Sequence, residues 1–224
     1  TETFPWMLQK KINNYKIKNY GVGGYGGTQS LLKLKNIFEE QSNIKLVIYG
    51  FIPHHEIRNI ASGSWMYLLK KNSRGTGGKV RLPYASLEKN NIKIHKPKKY
   101  FEIPFGDKSA LVAKIEKRIL KIESFKRSLK KNEISKKIIL DMKKISKQNQ
   151  SEFILLFLNA NEVPIKQFNI YNQFLRENNI KFIKCQFPKG ESFSVKGEGH
   201  PNKNGHRSIS DCVFDKLPSV FNKL

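Results

Sequence analysis

The chain is poor in cysteine, in arginine and in acid, and each shortage narrows what it can be. Its two cysteines among 224 residues are too few for a disulfide-built scaffold. Neither belongs to a CxxC pair. Cys185 falls in the strand-like "KFIKCQF" and Cys212 in the helix-like "SISDCVFDKL", so both are expected as buried apolar residues rather than reactive thiols. No apolar run approaches the roughly 18 residues of a membrane span. The opening "TETFPWMLQK" lacks the charged-then-apolar layout of a signal peptide. Eighteen acidic residues against 42 basic ones leave a net charge of +24. Such an excess ordinarily points to nucleic acid or an anionic surface. Yet only seven of the 42 are Arg, whose planar fork suits guanine and phosphate. With its abundant Asn and Ile, the lysine excess fits the codon bias of an AT-rich genome, the lysines being solvated on helix faces. No nucleic-acid partner is expected.

What is present is an alternation. At this length and 38% hydrophobic content the chain is one domain, or one domain with an insertion. "YKIKNYGV" (15–22) and "IKLVIYGFI" (44–52) have the pattern of short strands, the second covered on both faces. Between them 28–42 carries Leu31, Leu32, Leu34, Ile37 and Phe38 at helical spacing. "EFILLFLNA" (152–160) is a buried strand, 164–179 an amphipathic helix opened by Pro164, 180–187 a strand, and Pro201 to about Leu217 a last helix. The order predicts an α/β fold with a mostly parallel sheet and helices on both faces. An insertion over 66–105 has a Gly-rich turn and a β-hairpin turning at "EKNN". Its aromatics Tyr67, Tyr84 and Tyr100, with Trp65 beside them, are either a lid or sugar platform or simple packing. Residues 108–148 form a long Lys-studded helical stretch whose Leu111, Ile115, Ile119, Ile122, Phe125 and Leu129 make one stripe, expected to face the core.

Two motifs carry chemistry. "NYGVGGYGGTQ" (19–29) stands between a strand and a helix, where glycines let a ligand approach backbone N–H groups. Gly21, Gly23 and Gly26 fit G-x-G-x-x-G, but no acid ends the next strand to hold a ribose, so a dinucleotide is not expected. A plain structural turn is the alternative. Near the end, "KGEGHPNKNGH" (196–206) sets an acid two residues before His200 and Pro201 behind it, at the mouth of a helix. His200 is either an ordinary loop residue or a general base. His206 reads as packing or capping, and His95 as hairpin surface. His54 and His55 are adjacent, diverge on most backbones and have no third ligand, so no metal is expected.

The glycine motif and the late acid-x-His-Pro-Asn-x-x-Gly-His motif together resemble the SGNH/GDSL hydrolases, over most of the chain and most closely at 2–29, 44–59 and 197–210. That resemblance implies a three-layer α/β/α sandwich with a flavodoxin-like sheet and a serine ester hydrolase needing no cofactor. Its substrate would be a small-molecule or glycan ester. His200 then matches the base and Glu198 the acid, where Asp is usual. Gly24 matches the oxyanion glycine, and His54 stands where an Asn is usual. Tyr25 and His55 beside them are assigned to substrate binding. The nucleophilic Ser is expected on a strand ahead of Thr1 and not among these 224 residues. Of the serines present, Ser30 and Ser62 are poor substitutes and Ser64 the least poor. A silent relative that binds a glycan or partner is the second reading, and a basic nucleic-acid-binding protein, supported by charge alone, is the third.

Overall fold

The computed structural model describes residues 2–72, 80–106, 108–160, 165–188, 190–197 and 199–221. Its elements are α1 (Phe4–Gln9), α2 (Gly27–Glu40), β1 (Leu46–Phe51), α3 (His55–Asn59), α4 (Gly63–Asn72), β2 (Arg81–Glu88), β3 (Asn91–Lys99), α5 (Ala110–Leu129), α6 (Lys131–Gln148), β4 (Glu152–Ala160), α7 (Ile165–Glu177), β5 (Lys181–Phe187) and α8 (Lys203–Val220). The chain, expected as one domain, divides into two compact units. The first comprises Thr1–Val22, Asn43–Ile52 and Ser146–Leu224; the second comprises Gly23–Ser42 and Pro53–Ile145.

The first unit is the α/β sandwich. Its sheet has the order β1-β4-β5, all parallel, with Leu46 opposite Glu152 and Ile154 opposite Lys181. The apolar runs make this possible because both faces are covered. Ile154, Leu156, Ile183 and Cys185 pack with Leu8 and Ile12 of the first segment and Ile209, Val213 and Leu217 of α8. On the opposite face Phe51 meets the ring of Tyr171 on α7 at 4.7 Å. Cys185 and Cys212 are joined in a disulfide with Cα atoms 5.9 Å apart, so the expectation of two separate apolar cysteines is corrected. β5 and α8 happen to present them at bridging distance.

The strand expected over 15–22 does not form. Its backbone bonds go to side chains instead: Gln9 Nε2 donates to Tyr15 O at 2.9 Å, Ile17 N–H to Gln9 Oε1 at 2.6 Å, and Gly21 N–H to Asn19 Oδ1 at 2.9 Å. β1 therefore pairs only with β4 among the described residues. Glu152 N–H donates to Lys45 O, which fixes the parity: Leu46, Ile48 and Gly50 turn their N–H and C=O away from β4. No backbone hydrogen bond among the described residues reaches that edge.

The second unit contains the β2–β3 hairpin, antiparallel and turning at Lys89 and Asn90, both at positive φ (45° and 66°), as a tight hairpin turn requires. The helical stretch breaks at Lys130 into α5 and α6. The apolar stripe of α5 does not face the core; all six of its residues are exposed. The inward face is Glu116, Leu120 and Ser124, fixed by particular contacts. Ser124 Oγ accepts the Gly63 N–H at 3.1 Å, and a Cβ on Gly63 would lie 2.5 Å from the Leu120 carbonyl carbon. Buried Glu116 receives Lys70 Nζ at 3.3 Å, the Ile103 N–H at 3.1 Å and the Tyr100 hydroxyl. Burial and the Glu116 carboxylate both push the Tyr100 phenol upward. The aromatics of the insertion are packing rather than a platform: Tyr100 and Trp65 are buried, Tyr67 and Tyr84 pack on the Ala61, Met66 and Leu120 cluster, and Tyr84 stacks on His95 at 4.5 Å.

Candidate active site

In the second unit the glycine loop leads into α2. Gly24 has φ +82°, a conformation that glycine takes without strain, and its missing Cβ would sit 3.7 Å from Trp65 Cζ2. Gly26 precedes α2 and has no room for a side chain, since a Cβ would meet Arg58 Cβ at 2.7 Å and Asn59 Oδ1 at 2.8 Å. That close approach lets Asn59 Oδ1 accept the Thr28 N–H at 3.2 Å, while Asn59 O accepts Thr28 Oγ1 at 2.9 Å. Asn59 Nδ2 donates onward to Ser135 Oγ at 2.8 Å. Asn59, the nearest asparagine after β1, is thus committed to holding α2.

His54 sits at the start of α3, its ring edge-on to Trp65 with centroids 5.8 Å apart. The proposed oxyanion donors Gly24 and His54 therefore both lie against Trp65. The Arg58 guanidinium stacks 4.5 Å over the same indole and donates from Nη1 to Tyr25 O at 3.0 Å. Desolvation first, and Arg58 second, lower the pKa of His54 and take that of His55 down to about 3. Both imidazoles are neutral at pH 7, the form with one N–H to donate and one nitrogen to accept. Arg58 and Asn59 were not singled out in the sequence, where only their position behind the two histidines pointed to them, and Trp65 was grouped with the aromatics of the insertion rather than with His54. Trp65 Nε1 and Gln29 Nε2 are buried without a hydrogen-bond partner among the described residues.

The hydroxyls of Ser30, Ser62 and Ser64 are all hydrogen-bonded. Ser30 Oγ donates to Gly26 O at 3.0 Å, Ser62 Oγ accepts the Trp65 N–H at 3.3 Å, and Ser62 and Ser64 share a hydrogen bond of 3.1 Å. Among the described residues no group of three His, Cys, Asp or Glu is placed to hold a metal ion.

In the first unit the "HPNKNGH" segment is explained atom by atom. The helix opens two residues later than Pro201, with Asn202 as its cap: Oδ1 accepts the N–H of Asn204 at 2.9 Å and of Gly205 at 3.2 Å. Its Nδ2 donates to Glu191 O at 3.2 Å and Ser194 O at 3.3 Å, and Asn204 Nδ2 to Ser192 O at 3.0 Å. Gly205 is bare because the Phe193 carbonyl oxygen would stand 2.3 Å from any Cβ there. His206 stacks on Phe4 at 6.4 Å, and burial lowers its pKa. Pro201 bridges to Ser194, and His200 O accepts the Val195 N–H at 2.7 Å, so His200 is held at the mouth of α8 with an exposed side chain. Glu198, expected to orient it, lies outside the described residues.

No family model and no curated protein sequence matches the chain.

Proposed function

We propose that the protein is an ester hydrolase, or an acyltransferase on the same scaffold, in which a serine attacks an acyl carbonyl and His200 takes its proton. Glu198 fixes the imidazole; for Gly24 N–H and His54, in the second unit, the part of oxyanion donors rests on the resemblance to the SGNH hydrolases. Collapse of the tetrahedral intermediate expels the alcohol, which receives the proton from His200, and water then releases the acyl group by the reverse steps. A neutral His54 keeps one ring N–H to donate, and the Arg58 guanidinium, which lowers the pKa of that ring, adds positive charge beside it. We assign the serine to a further strand running parallel along the open edge of β1, where Leu46, Ile48 and Gly50 offer their backbone groups. The occupied hydroxyls of Ser30, Ser62 and Ser64 argue against a substitute among them. Substrates are acyl or acetyl esters, carbohydrate-linked ones included.

The observation that carries the reading is the exposed imidazole of His200, pinned through Pro201 and Asn202 at a helix mouth. The test is hydrolysis of a small acetyl ester by the natural gene product. His200→Ala should cut kcat/KM by on the order of a thousandfold; unchanged turnover removes His200 from the mechanism. A catalytically silent relative that binds a glycan or partner is the second reading. It is favoured by the same occupied hydroxyls and by a histidine where an asparagine is usual, and it predicts no turnover in either protein.

A further inference from the structure

We propose that α5 is a membrane-interface helix whose exposed apolar stripe, set among lysine and arginine, seats on an anionic lipid surface. At 3.6 residues per turn the positions of Leu111, Ile115, Ile119, Ile122, Phe125 and Leu129 fall within one half of the helix circumference, along about 30 Å of axis. Their exposure runs from 40% at Ile119 to 69% at Ile122. This inverts the usual arrangement, in which the apolar side of a surface helix faces inward. Here the inward side is the polar one, with Glu116 and Ser124 held by the contacts described above. A contiguous apolar surface of this length facing solvent marks an interaction site. Phe101 and Phe105 are exposed as well, and Phe101 shares a groove of about 790 Å³ with Ile119 and Leu120 in the middle of the helix.

Charge selects the occupant. Helical spacing puts Lys114, Arg118, Lys121 and Lys126 on the same outward half, all exposed. The two acids of α5 are turned elsewhere: Glu116 is buried on Lys70, and Glu123 is bonded to Arg127 at 2.7 Å and Lys98 at 2.5 Å. A second copy of this chain laid on the stripe would bring the same four cations into opposition. Anionic headgroups neutralise them, while the long Lys and Arg stems let the apolar stripe sink to the acyl boundary. Among the described residues no helix is long and apolar enough to cross a membrane, so α5 lies in the interface plane.

The test is sedimentation of the whole chain with vesicles of equal phosphatidylcholine and phosphatidylglycerol, and with phosphatidylcholine alone. The protein should bind the anionic vesicles at least about tenfold more tightly. The charge-neutral triple variant Ile119→Gln, Ile122→Gln, Phe125→Gln should lose about tenfold or more of that affinity. Circular dichroism and the unfolding midpoint of the variant should match the parent, because the three side chains are exposed. The proposal is overturned if the variant binds like the parent, which would assign binding to net charge alone, or if neither binds. It is equally overturned if the chain self-associates in sedimentation equilibrium and the same variant is a monomer without any vesicle binding, which would give the stripe to a second copy.

Discussion

Gly205→Ala is the sharpest probe of how His200 is held. A Cβ at this position would stand 2.3 Å from the Phe193 carbonyl oxygen and 2.8 Å from Pro201 Cβ. Neither atom is the end of a flexible side chain. Phe193 O also accepts the Asn202 N–H at 3.0 Å, so displacing it loosens the residue that caps α8. Two effects oppose each other. Alanine in place of glycine in a helix gains about 1 kcal/mol from backbone propensity. Overpacking against rigid neighbours costs about 1–3 kcal/mol, and a clash with backbone lies at the top of that range. The clash wins, for a net loss of about 2 kcal/mol. Urea unfolding with the disulfide intact measures it, through a lower midpoint at constant slope. Because the displaced atoms include Pro201, His200-dependent ester turnover should fall about tenfold or more in the same variant. An alanine protein as stable as the parent, or more stable, would show that the 190–194 loop yields freely and that the motif does not fix His200.

Other perturbations follow from the same coordinates. The folded pKa of His55 lies far below its ordinary 6.5, at about 3, so the unfolded chain binds the extra proton first. Its contribution to stability is complete above pH 6.5 and is lost as the pH falls toward 3; between pH 7 and pH 5 the loss is about 2 kcal/mol. His55→Gln should flatten that part of the pH profile, and an unaltered slope would assign it to other groups. Glu116→Ala leaves the Tyr100 hydroxyl and the Ile103 N–H without their acceptor and takes one of two carboxylates from Lys70, which keeps Glu102 at 3.1 Å; it should cost about 2–4 kcal/mol by chemical unfolding; a loss below about 1 kcal/mol would contradict the network. Reducing the Cys185–Cys212 disulfide, which spans 27 residues, releases unfolded-chain entropy worth about 3.5 kcal/mol at most. Urea midpoints with and without reductant measure it, and coincident curves would refute a structural role.

Much of the first unit was legible because a continuous apolar run has few alternatives. β1, β4 and β5 were placed to within two residues, and "EKNN" marked the hairpin because Lys89 and Asn90 had to take positive φ between two strand-like runs. Residues 15–22 misled because alternating Lys and apolar residues suit an extended loop as well as a strand, and Gln9 satisfies the backbone from outside. The α5 stripe misled for another reason. Periodicity shows that a helix has two faces, but the face that packs was decided by Gly63, Ser124 and Glu116, whose partners are distant in sequence. The disulfide was hidden because pairing depends on β5 and α8 being adjacent, a fact of topology. The sequence singled out His200 in the first unit and Gly24 and His54 in the second. It attributed the helix mouth to Pro201, whereas Asn202 caps it; it passed over Arg58, and it grouped Trp65 with the aromatics of the insertion rather than with His54, whose surroundings the two residues set.

The most direct measurement is covalent labelling of the natural gene product with a fluorophosphonate, followed by peptide mapping. The hydrolase account predicts one modified serine, on a strand-like peptide distinct from those bearing Ser30, Ser62 and Ser64, with labelling abolished in His200→Ala. Absence of any labelled serine, or labelling that persists undiminished without the imidazole, would contradict it.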